Sequence, residues 1–182
     1  VEYKNQWYLF YHHNDYSPKF DKNRAVRVDS LSFNADGSIN KVIPTLRGVG
    51  VSSALKNIEV DRYSALSEKG TSIALIDTVN TFKGWKTILQ TKASWVKYNT
   101  VDFGNSKLKT VQVQASAAKP GIVEIRLGSP EGLLLAEVNI PAGSGMAPAS
   151  AKLKKYEKGI KNLVVVQKGE NPVEIDWVKF SN

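Results

Sequence analysis

The stretch NPVEIDWVKF, Asn171 to Phe180, decides the fold. It opens on an Asn-Pro turn signal and runs on into β-branched and aromatic residues, which predicts a strand. Strict alternation puts Val173, Ile175 and Trp177 on one face and Glu174, Asp176, Val178 and Phe180 on the other. Both faces carry apolar residues, so the strand reads as buried on both sides. One of those faces nevertheless holds two carboxylates two residues apart, and these need an explanation.

The same pattern repeats along the chain. Segments of period two, or short apolar runs bounded by Gly, Pro, Asn or Asp, predict strands at 6–12, 24–34, 38–44, 58–63, 72–77, 95–102, 110–117, 122–127, 133–139, 163–167 and 173–180. Hairpin turns are expected at ADGS (35–38), KPG (119–121), SPEG (129–132) and KGENP (168–172). No long helical period interrupts them, so the fold class is all-β, a sandwich or barrel. A break falls at TLRGVGVSSALKN, 45–57. Before it lie about 44 residues with roughly three strands, too few to bury a core alone. After it lie about 125 residues, a typical sandwich length. The chain is read as two parts, 1–50 and 51–182.

Composition sets outer bounds. Of 182 residues, 42% are hydrophobic and 23% charged, which is globular and not disordered. No apolar run approaches the ~20 residues that cross a bilayer, so no membrane partner is expected. The opening VEYKNQWYLFYHH has no basic leader and no cleavage pattern, and reads like the middle of a folded protein. With no cysteine, disulfides, thiolate metal sites and a cysteine nucleophile are excluded. The formal charge is +8, concentrated in KLKKYEKGIK, Lys152 to Lys161. That run is either an anion-binding patch or a solvated edge kept from pairing by lysines. No aromatic platform or arginine cluster accompanies it, so nucleic acid is not an expected partner.

Two longer stretches resemble known families. Trp7 to Gly50, with YLFYH, an Arg-Xaa-Val segment from Arg24, DGSI and PTLRGV, resembles the end of the last blade of a family 43 glycoside hydrolase five-bladed β-propeller. The resemblance implies an inverting glycosidase whose three working carboxylates sit on earlier blades, so this chain alone is expected to have no glycosidase activity. It also implies that His12 or His13, and Arg24, faced the sugar pocket of the parent enzyme; otherwise they are ordinary strand residues. The orphaned strands are expected to be ordered by packing on the sandwich or on a second copy of the chain.

The second stretch carries IEVDRYSALS (58–67), SWVKYNTVDFG (94–104), VEIRLGS (123–129) and VEIDWVKF. These resemble carbohydrate-binding module family 6, a jelly-roll β-sandwich that often follows family 43 catalytic domains. The resemblance implies a structural calcium held by Glu59, Asp61 and Asp176, with Asp61 standing where the family usually has glutamate. Three converging carboxylates would otherwise repel, and calcium takes several hard oxygens. It also implies a sugar cleft at Leu89, Met146 and Glu174. None of these is the aromatic or asparagine residue the family usually has, so the usual cleft is expected to be degraded. Trp85, in NTFKGWKT, is a candidate replacement platform, and the concave sheet face is another; Trp95 and Trp177 are expected in the core.

The function this implies is a non-catalytic accessory module of a plant-polysaccharide hydrolase acting on arabinoxylan, xylan or arabinan. An active module using Trp85 or the concave face is the alternative. The parent would be a xylosidase or arabinofuranosidase, secreted, periplasmic or at the cell surface. Partners would be cell-wall polysaccharide or the parent propeller, with self-association through the propeller fragment a further expectation.

Overall fold

The computed structural model describes residues 1–14, 22 and 24–182, so a short part of the Trp7–Gly50 motif lies outside the described residues. The chain divides into two compact units, Val1–Gly50 and Val51–Asn182.

In the first unit β1 (Glu2–Tyr3), β2 (Gln6–His13) and β3 (Ala25–Leu31) form an antiparallel sheet in that order. Register runs from Trp7 opposite Leu31 to His13 opposite Ala25. The Asp36-Gly37 turn forms as expected. Ser38 N–H donates to Asp36 Oδ1 at 2.9 Å, and Gly37 supplies φ +82°. The strand expected at 38–44 does not form beyond one isolated bridge, Phe33 to Ile39. Asn40 bonds back to Ser32 through both its backbone and its side chain, which closes a loop.

The chain then reaches a polar knot. Asp29 is buried, and its carboxylate accepts from Thr45 N–H at 3.0 Å, Thr45 Oγ1 at 2.7 Å and the Tyr11 hydroxyl. Thr45 Oγ1 in turn accepts from Gly48 N–H at 2.8 Å. Burial first, then the Asp29 hydrogen bond and charge, push the Tyr11 phenol up to about 12. This knot gives the PTLRGV segment its physical role.

The second unit holds β4 (Ser52–Ser53), β5 (Ile58–Glu59), β6 (Ala65–Leu66), β7 (Thr71–Leu75), β8 (Trp85–Leu89), β9 (Trp95–Asp102), β10 (Thr110–Ala117), β11 (Gly121–Leu127), β12 (Leu133–Ile140), β13 (Gly143–Lys152), β14 (Ile160–Gln167) and β15 (Val173–Ser181). One sheet runs β13-β10-β15-β8-β7, with β5 added on β15. The other runs β12-β11-β14-β9-β4, with β6 added on β9. The strand order jumps along the chain, as two packed antiparallel sheets with long crossovers require. Val111, Val113, Ala115 and Ile175 of the first sheet and Val123, Ile125, Leu163 and Val165 of the second are buried in one shared core.

Strict alternation does not hold in β15. Gln114 of β10 pairs with Trp177, but Ala115 pairs with Ile175, so Asp176 is the extra residue of a bulge. The bulge flips parity. Val173, Ile175, Val178 and Phe180 all face the core, while Glu174, Asp176 and Trp177 are half-buried. Trp177, and likewise Trp95, are therefore not core residues as expected.

Besides the two-residue strands β1, β4 and β6, two longer strands were not anticipated. β8 occupies part of what reads as the NTFKGWKT loop, because its backbone is ladder-bonded on both sides, to β7 and β15. β13 occupies the Gly-rich stretch around Met146, GSGMAPASAK, which carries no β-branched residue. Its pairing with β10 defines it, from Thr110 opposite Lys152 to Ala117 opposite Gly143.

Candidate functional site

The carboxylate triplet sits where β5, the segment after it and the β15 bulge meet. Glu59 pairs with Trp177 across the sheet, and Val60 N–H donates to the Asp176 carbonyl at 2.9 Å. The Val60 carbonyl is pinned from both sheets. It accepts from Thr87 Oγ1 of β8 at 2.9 Å and from the Tyr98 hydroxyl of β9, a fully buried side chain. These bonds fix the backbone that carries Asp61, which is only 6% exposed.

The three acids sense one another. Burial, then Asp176, then Asp61 push Glu59 above the usual carboxylate range, with Arg62 opposing. Burial, then Asp61, push Asp176 up as well. The structure thus brings Glu59, Asp61 and Asp176 into one neighbourhood. Among the described residues, however, no three acidic, histidine or cysteine side chains already stand grouped as a metal shell. Glu59 is exposed, whereas Asp61 is buried and Asp176 half-buried.

The sugar-site residues are only partly gathered. A groove of about 850 Å³ lies at the sandwich end where the turns 118–120, 141–142 and 168–172 cluster, and Glu174 lines it. Glu174 accepts from Lys86 Nζ at 2.8 Å and from Ser116 Oγ at 3.0 Å. Both bonds fall on Oε2, so a half-buried ion pair engages one carboxylate oxygen of Glu174. Leu89 has to be removed from the site. It is 0% exposed, on the inner face of β8, and cannot touch a polysaccharide. Its neighbour Ile88, opposite Glu174 on β15, lines the groove instead. Met146 lies on β13 and is half-buried; the groove is lined by Gly143 and Ser144 of that strand. None of the described residues lining the groove is aromatic.

Trp85 stands apart from this groove. It begins β8, three residues from Ile88, which is ~10 Å along a strand. Two other aromatic side chains stand differently from the sequence reading, Phe82 unremarked there and Trp177 expected in the core. Phe82 is 99% exposed on a 3-10 helix, Thr81–Lys83, at the tip of the β7–β8 hairpin. Asp77 braces that tip by accepting from Val79 N–H, Asn80 N–H and Lys83 Nζ, and these hold it down to about 2, the Lys83 hydrogen bond foremost. Trp177 shares the outer face of its sheet with Gln114 and Glu59. The Asp-Thr-Val-Asn spacing at 77–80 could have signalled the first. A bulge leaves no comparable mark for the second.

In the first unit, Arg24 and His12 meet at 3.2 Å between Nη1 and Nε2, and both are exposed. His13 is the next residue along β2, so its side chain points to the other face of that sheet.

Comparison with known proteins follows this geometry. The family model described as carbohydrate binding module (family 6) matches residues 64–182. Arabinoxylan arabinofuranohydrolase of Bacillus subtilis (strain 168) is 29% identical over 154 residues, 79% of this chain and 29% of that protein. Endo-1,4-beta-xylanase A of Thermoclostridium stercorarium is 27% identical over 169 residues, 86% of this chain and 23% of that protein. The chain thus spans less than a third of the length of these relatives. Among solved structures, CsCBM6-3 from Clostridium stercorarium in complex with cellobiose matches with TM-score 0.66 and 26% identity, over 73% of this chain and 98% of that one. A family 43 arabinoxylan arabinofuranohydrolase from Bacillus subtilis, in complex with cellotetraose, shares the fold with TM-score 0.69 and 20% identity, over 100% of this chain and 40% of that one. With most of its length matched by the family model and its sandwich shared with a solved member, the chain belongs to carbohydrate-binding module family 6.

Proposed function

We propose that this chain is a non-catalytic accessory segment of a plant-polysaccharide glycoside hydrolase, in which the sandwich's end groove has lost the grip on neutral sugars. The observation that carries this reading is the lining of that groove. It holds Glu174, ion-paired to Lys86 from outside the lining, and no aromatic ring among its described residues. Sugar rings are held by flat aromatic faces against their C–H groups, with a few polar groups for the hydroxyls. Ile88 and alanines offer no such sandwich. The relatives that match this chain, an arabinofuranohydrolase and a xylanase, support arabinoxylan or xylan as the parent substrate and a secreted or surface location.

The first fifty residues are read as the last strands of a family 43 propeller. Their three-stranded antiparallel sheet and the Asp29–Thr45 knot support this, as do exposed Phe10, Val26 and Ile43, which would suit a covering neighbour. In that reading His12 and Arg24 are remnants of a pocket completed elsewhere, and catalysis belongs to blades outside this chain.

Calcium is proposed at Glu59, Asp61 and Asp176. Mutual repulsion at a partly buried strand crossing is what a divalent cation relieves, and Glu59 would swing in to complete the carboxylate set. Loaded, the ion would brace the fold and take no part in chemistry.

A second reading keeps sugar affinity on another surface. Trp177, turned outward beside Gln114, supplies a ring next to an amide, and Trp85 remains the candidate on the hairpin. Affinity electrophoresis in arabinoxylan, xylan and arabinan tests both readings. No retardation by neutral polymer is expected from the first. Retardation abolished by Trp85→Ala or Trp177→Ala establishes the second, and retardation abolished by Glu174→Ala overturns the first.

A further inference from the structure

The lysine run singled out in the sequence does not stand alone. The structure folds it against a second basic segment, 107–109, that leads into β10. Leu153 N–H donates to the Lys109 carbonyl at 2.8 Å, and Lys152 pairs with Thr110. A groove of about 670 Å³ results, lined by Lys107, Lys109, Lys152, Lys154, Lys155 and Tyr156 over Leu108 and Leu153. All five lysines are exposed. Lys154 reaches Glu137 at 2.9 Å, and no ion pair engages the other four among the described residues.

We infer that this groove binds the carboxylates of an acidic polysaccharide, a glycan bearing uronic-acid groups. The inference rests on the reading that the module's partner is a polysaccharide. Four lysines without an ion pair around one concavity make a positive surface that favours an anion. The cations are all lysines. Lysine is a flexible point charge, suited to carboxylates placed irregularly along a chain. The one ring, Tyr156, has its hydroxyl donated to the Ser106 carbonyl. A single anchored ring gives no run of platforms for stacked bases. Leu153, half-buried in the floor, offers apolar contact to sugar C–H groups. The groove is separate from the Glu174 groove, with which it shares no lining residue.

The test is calorimetric titration of the whole chain with glucuronoxylan, with the same polymer after carboxyl reduction, and with neutral xylan. Binding to the carboxylated polymer is expected, weakening as salt rises through about 0.15 M and vanishing on carboxyl reduction. Replacing Lys107, Lys109, Lys152 and Lys155 together by Gln should weaken it roughly tenfold, and replacing them by Arg should restore it. The reduction and salt arms use the unaltered chain, so they decide even if the glutamine variant is unstable. Absence of binding to glucuronoxylan overturns the inference, as does equal binding to the reduced polymer. Single-stranded oligonucleotide competing as well as glucuronoxylan overturns it in favour of a nucleic-acid surface. Neutral xylan binding lost in Glu174→Ala would instead overturn the proposed loss of the end groove and leave this inference intact.

Discussion

Thr45 does the work of three contacts with one small side chain. Its hydroxyl donates to Asp29 and accepts from Gly48, and its N–H donates to the same carboxylate. Asp29 is buried, so removing a donor leaves part of a charged group unsatisfied. Thr45→Val keeps the shape and removes the hydroxyl. It should destabilise the first unit by about 1–3 kcal/mol, read by denaturant unfolding or by faster proteolysis of the first fifty residues. Gly48 is constrained twice over. Its φ is +68°, and a Cβ would lie 2.9 Å from the Val28 carbonyl oxygen. Gly48→Ala should therefore also loosen this unit, with the sandwich core unaffected, as hydrogen exchange at the two units would separate. The motif that marks this segment in sequence is thus a hydrogen-bonding requirement, legible as a pattern but not as a reason.

At the scale of elements, β9 and β10 match their expected bounds: Val111, Val113, Ala115 and Ala117 alternate along β10, and β9 is rich in β-branched and aromatic residues although its register shifts between Tyr98 and Val101. β13 and β8 were missed for opposite causes. β13 is small and polar, and its strand state comes from the neighbour's backbone; β8 follows a Gly, which hides its start in a loop signal. The bulge at Asp176 was illegible for a deeper reason: parity along a strand is inferred from the sequence by assuming no insertion, and the extra residue shows only in the partner's register. It is also what turns Trp177 outward and sets Asp176 beside Asp61. The acids proposed for calcium were named by resemblance, while the placing of Asp176 near Asp61 goes with the bulge. Leu89 went wrong by a single residue, since Ile88 has the opposite parity. Val60 ties the two sheets at this crossing, through Tyr98 and Thr87. Tyr98→Phe and Thr87→Val should each cost about 1 kcal/mol. The double variant should exceed their sum, because the Val60 carbonyl then has no side-chain partner. A double-mutant cycle in urea measures that coupling.

Across the whole molecule, charge is managed by networks with unequal security. On the outer face of the second sheet Glu124 and Glu137 stand directly opposite each other, a destabilising placement taken alone. Lys168 bridges them at 3.5 and 2.9 Å, Arg126 takes Glu124 at 2.7 Å and Lys154 takes Glu137 at 2.9 Å. Lys154 and then Lys168 hold Glu137 down to about 2. A depressed carboxylate stabilises the fold above its ordinary value of 4.5 and loses that contribution as pH falls toward about 2. Glu137→Gln should therefore lower Tm at pH 7, and its gap from the parent should close on acidification through that window and shrink in high salt. In the Glu59, Asp61 and Asp176 group, Arg62 opposes the rise of Glu59, but burial and the neighbouring acids prevail. If calcium fills it, a chelator should lower Tm, by about 2.7 kcal/mol of stability from a starting concentration 100 times Kd, and Asp61→Asn should abolish that response.

The end groove is proposed to have lost its hold on neutral sugars, with Glu174 ion-paired and no ring in its described lining. Calorimetric titration with neutral xylo-oligosaccharides, on the chain and on Glu174→Ala, tests this. No saturable heat is expected from either. Saturable binding by the unaltered chain that disappears in Glu174→Ala would contradict it.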